Sequence, residues 1–305
     1  MFLSYLLPFL ILILVVVFIH EYGHYYFARK YGVGVTDFSI GFGKELFGWN
    51  DKHGTRWKIC AIPLGGYVKF FGDRNVYSQA DHKEILEKYS KEEQEKLFIL
   101  KPLYQRVLIV FGGPLANFLL ALVIFFSIYT FIGKDFTPAV INEVQKDSPA
   151  MTGGLKNQDI ILEIDGNKVK SIMEVSKFIT MSTGDVIDFK VKRSYDELIL
   201  KVKPNIVEGE DGLGNKINKR MVGIKLGAYN NEVNHVKLGP AQAIYHAAHA
   251  VYYVSTSSLK YLGGMIMGKA DTSQLGGPIR IAKISGQVAT FGVIAFISMM
   301  AYISI

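Results

Sequence analysis

Cysteine is almost missing: Cys60 is the single thiol in 305 residues. No disulfide framework can form within the chain, and no all-cysteine zinc site can be built. Charge is missing from the whole stretch Met1–Ile19. An uncharged apolar run of that length is what crossing a hydrocarbon core requires. The run also lacks the basic start and small-residue cleavage site of a secretory leader, because Arg29 and Lys30 follow it. A retained membrane span is expected. Equally scarce is any basic stripe with interleaved aromatics. The net charge is +7 and the pI about 9.1, yet the lysines and arginines flank apolar runs. That pattern suits the cytoplasmic ends of spans and argues against a nucleic-acid partner.

Apolar residues are plentiful. They make up 50% of the chain, aromatics 13%, and mean hydropathy is +0.21. The balance is too apolar for an ordinary soluble enzyme and too polar for a bundle of spans alone. A few spans plus a soluble domain are expected.

At the end of the first apolar run stands His20-Glu21-Tyr22-Gly23-His24. Positions i and i+4 share one helix face, so both imidazoles can reach one ion. Glu21 lies beside the first ligand, where a carboxylate can take a proton from water. Two histidines holding Zn²⁺ and a glutamate base are the mechanical content of HExxH. Tyr22, Tyr25, Tyr26 and Phe27 carry the apolar character past the motif. The ionisable groups therefore sit at or within the bilayer boundary, where such groups are costly and functional.

The remaining segments follow in order. Residues 1–33 are expected to form the first transmembrane helix, its Arg29 end cytoplasmic. Residues 34–72, with recurrent glycines and alternating apolar residues, read as β-hairpins. Within them Gly65 and Gly66 lie on an apolar stretch that is either a packed turn or a strand edge open to an extended substrate. Residues 73–105 read as a solvated cytoplasmic helix. Residues 106–133 form a second span. Asn117 is polar in that span and needs either an interhelical hydrogen bond or a contact in the active site. Residues 134–205 alternate strands and short helices into a small sheet with two helices. Residues 206–287 read as a polar linker followed by amphipathic helices; Pro240–Met267 is either a span or an interfacial helix. His246 and His249 could share a face, as packing or as ligands. Residues 288–305 read as a third span.

Taken in order, these motifs resemble the site-2 proteases, the intramembrane zinc metalloproteases, and within them the branch of the bacterial regulator of sigma-E protease. The resemblance rests on His20–His24, Gly41-Phe42-Gly43, Pro63-Leu64-Gly65-Gly66-Tyr67-Val68, Gly113-Pro114-Leu115-Ala116-Asn117, Ser148-Pro149-Ala150 with Gly154-Leu155-Lys156, and Gly276-Gly277-Pro278-Ile279. It implies a polytopic α-helical membrane protein with a membrane-reentrant β-hairpin region and one inserted PDZ-like α+β domain. It implies Zn²⁺ held by His20 and His24, Glu21 as base, and Gly65, Gly66 and Asn117 as substrate contacts. Transmembrane protein substrates such as anti-sigma-factor-like proteins or signal-peptide remnants would be cut within the lipid bilayer. The setting would be the bacterial inner membrane, with the PDZ-like domain periplasmic. The third zinc ligand of the family, an aspartate in a Leu-Asp-Gly motif, has no counterpart in the sequence. Truncation of the third span before that motif, with loss of activity, is one expectation. A non-catalytic PDZ-containing membrane adaptor is the alternative.

Overall fold

A computed structural model describes residues 2–73, 89–210, 216–228, 234–268 and 277–305. The chain divides into two compact units, Met1–Ile124 with Ile281–Ile305, and Phe125–Arg280.

In the first unit, helix α1 spans Phe2–Lys30 with Pro8 in its early turns. Proline is tolerated there because the first N–H groups have no intrahelical partner. Gly32, at φ +68°, ends the helix. The Val33 N–H reaches the Ala28 carbonyl and the Gly32 N–H the Arg29 carbonyl. This is a Schellman cap, with Arg29 and Lys30 suitably placed at the negative end of the helix dipole.

Strands β1 (Val35–Asn50) and β2 (Arg56–Phe70) follow as one antiparallel pair folded on itself. Phe38 is matched with both Val68 and Trp57, while Trp57 is also matched with Trp49. Register shifts run from Val35 to Phe47, a stretch that includes Gly41 and Gly43, whose φ values of +91° and +83° only glycine adopts readily. Phe38 is fully buried and stacks on Trp57 at 4.1 Å between ring centres. By contrast Leu46, Phe47, Ile62 and Leu64 are exposed. An apolar outer surface on a hairpin suits contact with lipid or with an extended chain.

Of the cytoplasmic helix expected over 73–105, only part falls on described residues. Residues 74–88 lie outside the described residues. The rest holds one turn at Lys91–Gln94, opened by a Ser90/Glu93 capping box, and a 3₁₀ turn at Phe98–Leu100. The Lys96 carbonyl accepts from Gly34 N–H, and Leu97 is buried. Tying this segment to the hairpin stops the helix after one turn.

Helix α2 covers Leu103–Ser127 and ends in a wider π turn at Ile128–Ile132. It crosses α1 at small residues. A Cβ on Gly112 would stand 2.6 Å from the Gly23 carbonyl oxygen, and one on Gly23 would stand 2.8 Å from Ala116 Cβ. Only hydrogen at both positions lets the backbones approach this closely.

The second unit is built on an antiparallel sheet. Its order is Ile224–Ala228, Ala139–Val144, Ile160–Ile164, Ile187–Arg193, Asp196–Val202, with Asn167–Lys168 pairing off Ile160–Ile164. A helical turn at Pro149–Thr152 is capped by Ser148, whose oxygen accepts from Met151 N–H. Helix α3 (Ile172–Met181) places Val175, Phe178 and Ile179 in a core with Ile141, Ile161, Ile187, Phe189 and Val191. This is an α+β unit, as the sequence pattern implies.

Its boundary is not 205, however. The strand Ile224–Ala228 completes the sheet, and Asn205–Glu210 and Lys216–Met221, expected within a linker, pair as antiparallel strands. Val222 explains the return. It is buried, and its carbonyl accepts from Ala150 N–H.

Helix α4 spans Pro240–Ile266, helix α5 Pro278–Thr290 and helix α6 Val293–Ser304. Two helices among the described residues are long and apolar enough to cross a membrane, Tyr5–Lys30 and Leu103–Ile132. The segment expected as a third span, 288–305, is broken at Gly292, φ +107°.

Candidate metal centre

The His20 and His24 rings meet edge to face, one turn apart on α1. Their Nε2 atoms are 3.2 Å apart. Two nitrogens at zinc–nitrogen distances of about 2.0–2.1 Å and a tetrahedral angle would stand about 3.4 Å apart. The pair is therefore set for one shared ion. His24 Nδ1 lies 2.8 Å from the Ile109 carbonyl oxygen on α2. That acceptor takes the ring's Nδ1–H and leaves a lone pair on Nε2. His20 Nδ1 faces the Asn117 amide at 3.2 Å, also on α2.

Facing both Nε2 atoms is Gly113. A Cβ there would lie 2.7 Å from His20 Nε2 and closer still to His24 Nε2. The absent side chain leaves room at the point where both imidazoles converge. Two convergent imidazole nitrogens, one with its tautomer set by a backbone carbonyl, opposite a cradle that a methyl group would fill, fit a zinc ion.

Glu21 follows His20 on the chain and meets strand β2. A Cβ on Gly66 would stand 2.9 Å from Glu21 Cγ, 2.9 Å from Val17 Cγ1 and 2.7 Å from the Ser39 carbonyl oxygen. The β2 backbone at Gly66 thus passes directly beside the carboxylate-bearing side chain. Gly65 packs under the Phe42 ring, where a Cβ would come within 2.9 Å of Cζ. Gly66, Glu21, His20, His24 and Asn117 are brought together in one unit. Gly65 lies next to them, against the hairpin.

Sequence reading missed three participants. Ile109 acts through its carbonyl, which no side-chain pattern reveals. Gly113 reads as a helix-packing glycine, and only the position of the rings shows what its missing Cβ leaves open. Ser304 on α6 donates to the Asn117 backbone carbonyl at 2.8 Å. Among the described residues, no group of three or more His, Cys, Asp or Glu side chains is placed to hold a metal. Asp135 instead accepts from Thr137 N–H within a turn, and Asp271 lies outside the described residues. His246 packs on Phe136 at 5.6 Å between ring centres. Burial, with Lys134 and Lys170 nearby, holds His246 and His249 below the usual histidine range. They sit in a cationic, aromatic setting.

Comparison with known proteins gives the family. The model of peptidase family M50 matches residues 8–305. A protein of Agrobacterium fabrum provisionally named zinc metalloprotease Atu1380 is 38% identical over 302 residues, covering 99% of this chain and 80% of that protein. Its counterpart in Mesorhizobium japonicum, with the provisional name zinc metalloprotease mll0638, is 39% identical over 308 residues, covering 100% and 83%. Metalloprotease MmpA of Caulobacter vibrioides is 34% identical over 300 residues, covering 96% and 74%. Among solved structures, the PDZ domain of an SdrC-like protein of Listeria monocytogenes is 27% identical, covering 30% of this chain and 88% of that chain at a TM-score of 0.25. With the HExxH pair on an apolar helix and a family match over nearly its whole length, the chain belongs to peptidase family M50, the site-2 proteases.

Proposed function

We propose that the chain is an intramembrane zinc endopeptidase that cuts transmembrane segments of other proteins. The observation that carries this is the convergence of the His20 and His24 Nε2 atoms at 3.2 Å opposite the side-chain-free Gly113, with Glu21 the next residue after His20 and packed against Gly66. Bound there, Zn²⁺ would supply Lewis acidity to the scissile carbonyl and make a water molecule more acidic. His20 and His24 would hold the ion. Glu21 takes the proton from the attacking water at a carboxylate oxygen and passes it to the leaving amine nitrogen.

A transmembrane helix offers no free backbone hydrogen bonds, so a substrate must unwind before attack. The β2 backbone at Gly65 and Gly66 is suited to hold the unwound stretch as an added strand. Arg29 and Lys30 favour a cytoplasmic end for α1, which puts the segment after α2 on the far side of a bacterial inner membrane. The α+β unit would there meet substrates such as anti-sigma-factor-like proteins or signal-peptide remnants. One observation favours the second reading, a non-catalytic membrane adaptor: no third metal-ligating side chain joins the pair among the described residues.

The deciding experiment is Glu21→Gln in the full chain reconstituted in lipid vesicles with a single-span test substrate. Native protein should cut the substrate and the variant should lose cleavage by at least 100-fold while keeping its helical content. Cleavage by neither protein favours the adaptor. Equal cleavage by both removes Glu21 from the chemistry.

A further inference from the structure

We propose that Asn117 positions the zinc ligand His20, with its side-chain carbonyl accepting a hydrogen bond from His20 Nδ1–H. The inference rests on the metalloprotease reading and adds a residue that acts through a ligand. It starts from proton accounting. A neutral imidazole has one N–H, and a ring that ligates through Nε2 must carry that proton on Nδ1. The Nδ1–H then needs an acceptor. For His24 the acceptor is the Ile109 carbonyl at 2.8 Å. For His20 the group in reach is the Asn117 amide at 3.2 Å.

That amide has its nitrogen toward His20, while its Oδ1 is buried with no hydrogen-bond partner. With nitrogen facing nitrogen, Asn117 donates to His20 Nδ1, which forces the ring proton onto Nε2, toward His24. Turning the amide by 180° exchanges two ends of nearly equal shape. Oδ1 then accepts from Nδ1–H, the orphaned oxygen gains a partner, and His20 Nε2 presents its lone pair beside that of His24. The rotation gives the buried oxygen a partner and frees the His20 Nε2 lone pair. The ring proton on Nδ1 needs an acceptor, which selects the turned form once the ring ligates.

The placement is built into α2. Ile109, Gly113 and Asn117 follow each other at four-residue spacing on one face. One fixes His24, one leaves the space for the ion, and one reaches His20. Ser304 braces the Asn117 backbone at 2.8 Å. Asn117 contacts the ring on the side away from Nε2, so it acts through His20 and not on the metal itself.

The test is zinc affinity of the purified full chain in detergent, by competition with a chromophoric chelator, for native protein, Asn117→Asp and Asn117→Leu. Aspartate keeps the acceptor, so its affinity should stay within about threefold of native. Leucine removes the acceptor at similar volume and should weaken zinc binding about 10- to 100-fold. Nitrogen-15 spectra of labelled histidine should show a protonated Nδ1 at His20 in the zinc-loaded native and aspartate proteins. If leucine does not yield folded protein, Asn117→Ala repeats the deletion with less bulk.

Native affinity in the leucine or alanine variant overturns the inference, and a raised KM with unchanged zinc binding would make Asn117 a substrate contact instead. Equal weakening by aspartate and leucine overturns it too, since a purely structural amide would not be rescued by an acceptor. If native protein holds no zinc, the metalloprotease reading fails first and this inference falls with it.

Discussion

Gly113→Ala is the sharpest perturbation of the site, because it adds one methyl group and removes nothing. The new Cβ would stand 2.7 Å from His20 Nε2 and nearer to His24 Nε2. Ordinary carbon contacts lie at about 3.5–4.0 Å, so at least one ring must retreat by roughly an ångström. The methyl group also takes the space where an ion bound at about 2.0–2.1 Å from both nitrogens would sit. We expect zinc affinity to fall by on the order of 100-fold, equivalent to about 2.8 kcal/mol at 1.4 kcal/mol per tenfold. Cleavage of a test substrate should fall in parallel. The fold should survive, since alanine is up to about 1 kcal/mol better than glycine inside a helix.

Gly112→Ala is the built-in control. Its Cβ meets the Gly23 carbonyl oxygen at 2.6 Å and Phe27 Cδ2 at 2.7 Å, both in the α1–α2 crossing. It should lower thermal stability by about 1–3 kcal/mol through overpacking, with a smaller direct effect on zinc. The assay is chelator competition alongside thermal melting monitored by circular dichroism. Native zinc affinity in Gly113→Ala would refute the placement of the ion between the two Nε2 atoms and Gly113.

Two further predictions concern other parts of the chain. Arg193 pairs with Asp159 through two hydrogen bonds of 2.7 and 2.8 Å and also donates to the Gly154 carbonyl, while Asp159 has no exposure. Arg193→Ala leaves a buried carboxylate without its cation and should destabilise the α+β unit by about 3 kcal/mol. Thermal melting of the full chain checks this, and Asp159→Asn combined with Arg193→Ala should recover part of the loss. In the hairpin, burial works against the Asp51 carboxylate, but hydrogen bonds from Tyr25, Trp57 and the backbone of Thr55 and His53 outweigh it and hold the pKa at about 2. A pKa depressed in the fold gives stabilisation that is present above the unfolded value near 3.9 and lost as pH falls toward 2. Tryptophan fluorescence should therefore report loosening of the hairpin between pH 4 and 2, and Asp51→Asn should abolish that pH step.

How much of this was legible beforehand depends on the range of the interactions. The helices Tyr5–Lys30 and Leu103–Ile132, long and apolar enough to cross a membrane, follow from local apolar composition, which needs no distant partner. The capped turn at Ser148–Thr152 is a local matter of one hydroxyl and one N–H. Residues 89–105 and the strands Asn205–Glu210 and Lys216–Met221 depart from the sequence pattern because distant atoms decide them. Gly34 holds Lys96 in the first case, and buried Val222 draws the chain back to the sheet in the second. The break at Gly292 likewise lies inside a composition that reads as one continuous span.

By itself, then, the sequence determined that two imidazoles share a face of an apolar helix with a carboxylate next to the first along the chain, since helical spacing is a property of the chain alone. Tertiary structure decided which surfaces close around them. The Ile109 carbonyl, the bare backbone of Gly113, the Asn117 amide and the passage of Gly66 beside Glu21 belong to other segments. They are brought to α1 only because small residues let two helices and a strand approach at backbone contact.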